Sequence, residues 1–183
     1  MSRPRPLPND PIEEAHRQWV GHGWGDVADG MAAVTSLVRA QQIVMARVDE
    51  ALKPTGLTFS RYELLRLLSF SKTGALPMAK ASARLQVHPT SVTNTVDRLE
   101  AAQLVERVPH PSDRRATLIE ITDAGRELVA KATEELNAKV FARPGLAPER
   151  LHTLLQLLAE FRHAAGDFDT AEGTARWSAT APE

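Results

Sequence analysis

Two groups of side chains in this 183-residue sequence have the types and spacing to bind an anionic polymer. One is Asp113, Arg114 and Arg115, an acid and two arginines between the strand-like runs "LVERVP" and "ATLIEIT". The other is Thr90, Ser91, Asn94 and Arg98, which at 3.6 residues per turn share one helix face, opposite Val92, Val96 and Leu99. Short hydroxyl and amide side chains let a helix come close to base edges and phosphates. Arginine suits a narrow, electronegative minor groove. Each group alone also fits an ordinary solvated surface, as a hairpin tip with a local ion pair or the polar side of an amphipathic helix. Together they require elements that hold them side by side.

Those elements are readable from the periodicity. Residues 77–85 and 89–102 read as two short helices joined by "QVH", the spacing of a helix-turn-helix, with Pro89 at the first-turn position where its missing N–H is harmless. The two strand-like runs follow at once, so their tip forms a wing beside the second helix. In that arrangement Arg115 enters the minor groove, Asp113 holds its guanidinium and Arg114 touches phosphate. Upstream, residues 12–20 read as a short helix broken by "GHGWGD". A long helix then spans residues 26–52, with Val27, Met31, Val34, Val38, Met45, Val48 and Leu52 as its apolar stripe. Pro54 and Gly56 stop it, and another helix runs from Thr58 or Ser60 to Phe70. Downstream, Thr122 caps a helix reaching about Val140. The last helix, residues 148–165, carries Leu151, Leu154, Leu155, Leu158 and Phe161. The fold class is mainly α with a small β-wing.

Composition narrows the function. The formal net charge is −1, but residues 56–115 hold nine Lys and Arg against five Asp and Glu, the one basic segment between two acidic ones. No apolar run approaches the ~20 residues of a membrane span, and "MSRPRPLPNDP" lacks a secretory apolar stretch. A cytoplasmic protein without a membrane role is expected. There is no cysteine, hence no disulfide and no thiol switch. His16, His22, His88, His110, His152 and His163 show no metal-ligand spacing. No glycine-rich phosphate loop, zincin motif or nucleophile elbow is present. The sequence therefore predicts no enzyme, no cofactor and no metal. A winged helix used only for protein–protein assembly is the competing reading. It has no need of Arg115 or of the small polar helix face, and it lacks the steep salt dependence of phosphate binding.

The stretches "GLTFSRYELLRLL" and "HPTSVTNTVDRLEAAQLVERVPHPSDRRATLIEITDAG", with the long flanking helices, resemble the MarR family of bacterial winged-helix regulators. The resemblance covers roughly residues 27–165. It implies a homodimer whose first and last helices interlock, each subunit presenting a winged helix to half of a palindromic operator in double-stranded DNA. It also implies a regulator, most often a repressor, relieved by a small-molecule effector. The recognition helix then starts at His88, Pro89, Thr90 and Ser91. Residues 57–121 become the DNA-binding lobe, 26–56 and 122–165 the helical dimerisation region, 1–25 a tail with a short helix, and 166–183 a C-terminal tail. Two departures stand out: Gln103 occupies a position where many relatives have glycine, and His88 is a less favoured cap than Asp or Ser. The peroxide-sensing branch needs a cysteine and is excluded. The urate-responsive branch has a tryptophan that Trp19 could match, but its paired acid and arginine fall at Glu63 and Thr95, and the arginine is missing. An aromatic acid or acyl-coenzyme A effector is what remains. Arg39 is the candidate for its carboxylate, with His22, Trp24 and Arg61 as further ligand-binding candidates.

Overall fold

The computed structural model describes residues 7–112 and 116–169. The chain divides into two compact units, residues 1–133 and 134–183, each described by itself.

In the first unit, Asp10 accepts a hydrogen bond from the Ile12 amide at 2.9 Å, and with Pro11 in the first turn this starts α1, Pro11–Gly21. Gly23, at φ +85°, turns the chain into α2, Gly25–Leu52. The two helices pack together, and His16 Nε2 lies 2.8 Å from Asp29 Oδ1. A 3₁₀ turn at Lys53–Thr55 and Gly56 in the left-handed region end α2, where the sequence places Pro54 and Gly56 as stops.

The winged lobe follows. Helix α3, Phe59–Ser69, buries Tyr62, Leu64, Leu65 and Leu68. Strand β1, Ala75–Pro77, leads into α4, Met78–Leu85, and α5, Pro89–Ala101. Strands β2, Val105–Pro109, and β3, Thr117–Ile121, form the hairpin. The sheet is antiparallel in the order β1-β3-β2, with Leu76 opposite Ile119 and Val105 opposite Ile121. Alternation along β3 turns Ile119 and Ile121 inward, at 0% and 4% exposure, to join Leu64, Leu65, Leu68, Val92, Val96 and Leu99 in the core. Helix α6, Asp123–Leu136, begins at Thr122, whose Oγ1 accepts from the Gly125 amide at 3.0 Å as the sequence predicts.

Of the apolar stripe of α2, only Val48 and Leu52 are buried, together with Ala28 and Ala51. Val27, Val34 and Val38 are exposed, as are Leu37, Ile43 and Val44. Helix periodicity identifies the apolar face but supplies no cover for it. The buried positions of this 28-residue helix cluster toward its two ends.

In the second unit the helical pattern expected to reach Val140 loosens into a π-helical turn at Asn137–Phe141. Helix α7, Pro148–Ala164, starts with Pro148 in its first turn. In its last turn Arg162 Nε donates to Asp167 Oδ2 at 2.5 Å, and the guanidinium lies over Phe168.

Candidate nucleic-acid interface

The connection between α4 and α5 is held by its own polar groups. Gln86 takes the left-handed conformation, φ +53°, that ends α4. Ser82 Oγ donates to the Val87 carbonyl at 2.7 Å, which pins the turn from below. His88 does cap α5: its Nδ1 accepts from the Thr90 amide at 3.3 Å. Pro89 occupies the first turn, and the Ser91 amide donates to the His88 carbonyl at 2.8 Å. Helix α5 buries Val92, Val96 and Leu99 and leaves Thr90, Ser91, Asn94 and Arg98 exposed. The structure thus brings together every recognition-helix candidate, His88 to Arg98, on one accessible edge.

Helix α5 ends in a Schellman motif. The Gln103 amide donates to the Glu100 carbonyl and the Leu104 amide to the Leu99 carbonyl, both at 2.9 Å. Gln103 sits at φ +59° in the position glycine favours, the physical content of the departure noted in the sequence. Gly125 has a different reason to be glycine, because a Cβ there would lie 2.2 Å from the Leu104 carbonyl oxygen. The hairpin narrows above this point, with the His110 amide donating to the Ala116 carbonyl at 3.1 Å. Asp113, Arg114 and Arg115, the wing-tip candidates, lie outside the described residues.

Sequence reading missed a charge cluster beside these groups. Arg107, on β2, donates through one terminal nitrogen to Asp97 and through the other to Glu100, both on α5. The hydrogen bond to Asp97, helped by the charge of Glu100 and opposed by desolvation, raises the Arg107 pKa above its ordinary value. No spacing rule reveals this contact, since its members lie seven and ten residues apart on different elements.

The ligand candidates are dispersed. His22 and Trp24 stack at 5.6 Å in the corner between α1 and α2, with Trp19 edge-on to Trp24 at 5.5 Å. Arg39 lies fifteen residues further along α2, roughly 22 Å away at the helical rise, and its Nη1 donates to Gln42 Oε1 at 3.1 Å. Arg61 is half-buried in the first turn of α3. A small cleft of about 110 Å³ opens elsewhere, between α3 and α5, walled by Leu64, Leu85, Val87 and Val92. Glu63 and Thr95 both line it. Desolvation pushes the Glu63 carboxyl above the usual carboxylate range. Among the described residues no group of three or more acidic or histidine side chains could hold a metal ion. No described helix is long and apolar enough to cross a membrane.

A family model described as the MarR family matches residues 55–116, from the end of α2 to the wing. The solved structure of Sco5413, a MarR family transcriptional regulator from Streptomyces coelicolor, is 52% identical to this chain. That match covers 78% of this chain and 99% of that one, with a TM-score of 0.69. The chain belongs to the MarR family. Two more distant solved structures hold a bound molecule. Sco3205, also from S. coelicolor, was solved in complex with DNA; it is 25% identical over 79% of this chain and 91% of its own, with a TM-score of 0.66. CouR from Rhodococcus jostii RHA1 was solved bound to p-coumaroyl-CoA; it is 29% identical over 68% of this chain and 87% of its own, with a TM-score of 0.60. YhbI of Bacillus subtilis (strain 168), an uncharacterized HTH-type transcriptional regulator, is 36% identical over 81 residues. This match spans 44% of the chain and about half, 51%, of that curated relative. The MarR assignment agrees with the fold, mainly helical with a three-stranded antiparallel sheet.

Proposed function

We propose that this MarR-family protein is a homodimeric transcriptional repressor of the cytoplasm that binds a palindromic DNA operator and is released by a small organic ligand. The observation that carries the reading is the exposed polar edge of α5, set against a buried apolar edge and followed directly by the β2–β3 hairpin. His88, Pro89, Thr90, Ser91, Asn94 and Arg98 would face the major groove, and Arg115, steadied by Asp113 and flanked by Arg114, the minor groove. Sco3205, seen with DNA, supports that use of the lobe.

The division of labour follows. Residues 57–121 read DNA, while residues 26–56 and 122–165 join two copies, flanked by the segments 1–25 and 166–183. The uncovered valines and leucine of α2 support the dimer, because contiguous apolar surface of this kind marks an interaction site. For the effector, CouR with p-coumaroyl-CoA supports an aromatic acid or its thioester. Arg39 and Arg61 would pair with the anionic groups and His22 and Trp24 would stack on the apolar end.

Fluorescence anisotropy with the intergenic DNA beside the gene, at two salt concentrations and against scrambled competitor, tests the reading. Tight, competitor-resistant binding that falls steeply with salt is expected. Equal, weak binding to both DNAs would favour a protein–protein role for the winged helix. Arg115→Ala should weaken operator binding by roughly 1–3 kcal/mol; an unchanged affinity removes Arg115 from the groove.

A further inference from the structure

A recognition helix that approaches a polyanion should not present carboxylates to it, yet α5 carries Asp97 on its proposed contact edge. Asp97 follows Thr90 by seven residues and Asn94 by three, so it lies about 20° from Thr90 around the helix axis. Its side chain is 55% exposed, and Glu100, one turn on, is 39% exposed. Left alone, these two charges would repel phosphate and cancel much of what Arg98 contributes. They are not left alone. Arg107 reaches across from β2 and pairs with both, using one guanidinium nitrogen for each carboxylate. Its own side chain is only 30% exposed, and its planar fork fixes two partners in one geometry.

We infer that Arg107 acts in DNA recognition through Asp97 and Glu100, offsetting one of the two negative charges they place on the recognition helix. The inference rests on the DNA-binding reading above. It gives Arg107 a role without any DNA contact of its own: the net charge of the surface that α5 and the wing present together passes through one guanidinium. Lysine cannot substitute fully, because a single ammonium does not reproduce the two-pronged geometry.

The test uses the full chain and its operator duplex at two salt concentrations, with thermal unfolding of every variant read alongside. Arg107→Met is expected to weaken specific binding by roughly tenfold, the low end of the effect of losing a groove contact. Adding Asp97→Asn and Glu100→Gln to it should restore most of that loss, because the exposed carboxylates are then gone. On the wild-type background, Asp97→Asn with Glu100→Gln should bind at least as tightly as wild type. Its salt dependence should steepen by about one unit, since Arg107 is freed to meet phosphate. This second variant keeps the test decisive should Arg107→Met fail to fold; weaker binding by it overturns the inference. So does a triple variant that unfolds at the wild-type temperature yet binds as poorly as Arg107→Met. Wild-type protein that cannot distinguish operator from scrambled DNA overturns the regulator reading itself. Specific wild-type binding with Arg107→Met unchanged overturns the role of Arg107 alone.

Discussion

Helices α2 and α5 are written in the same amphipathic code and meet different fates. The apolar positions of α5, Val92, Val96 and Leu99, are 2%, 0% and 0% exposed, closed over by α3, α4 and the sheet. Those in the middle of α2 stay open, with Val34 at 61% and Val38 at 50% exposure. The difference teaches that the winged lobe completes its core from its own residues, whereas the middle of α2 carries an apolar face that the chain leaves uncovered; the proposed reading covers it from outside the chain, with a second copy. On that reading the lobe would read DNA while the helical region would set the spacing between two readers.

The comparison can be broken most severely at α2. Val34→Glu with Val38→Glu would bury two unpaired carboxylates in the proposed interface, at a cost of several kcal/mol. Sedimentation velocity should then show monomers, with the lobe still folded by circular dichroism. Dimers that persist would mean the exposed face has another use. Next in size, Leu99→Ala should destabilise the lobe by about 2–5 kcal/mol, seen in thermal unfolding, and should leave the dimer interface unaltered at temperatures where the protein is folded. A smaller and opposite effect is expected from Gln103→Gly. Relief of the left-handed strain, partly offset by the greater freedom of glycine in the unfolded chain, should stabilise the lobe by about 1 kcal/mol or less. Denaturant titration resolves that, and a loss would show that the Gln103 side chain makes a stabilising contact.

The smallest effect concerns Glu63. Its folded-state pKa is raised, so the ionised form is the destabilising one, and the stability linked to protonation is lost as pH rises through the carboxylate range. Glu63→Gln should therefore be slightly more stable than wild type at neutral pH, and the gap should close as pH falls through that range. A gap that widens on acidification would mean that Glu63 is held by a favourable partner.

Much of the lobe is legible without coordinates because its signals are local. Pro89 fits the first turn, Thr122 has its oxygen two to three residues from the amide it caps, and the strand alternation needs only period two. The exposed polar edge of α5 is legible for the same local reason. Gln103 is marked by the family resemblance rather than by a local signal, as a residue standing where many relatives have glycine, and φ +59° is what stands there. Arg107 escaped because its partners belong to another element, and the cleft at Glu63 and Thr95 because it exists only where α3 and α5 pass each other.

From the order of residues alone follow the element types, the helix-turn-helix and wing, and which edge of α5 is polar. Each depends on contacts within a few positions along the chain. Only the tertiary structure decided that the middle of α2 stays uncovered, that His22 and Trp24 stand far from Arg39 along one helix, and that Arg107 joins Asp97 to Glu100. Those outcomes depend on which elements pack beside one another, and a periodic pattern carries a face but not its neighbour.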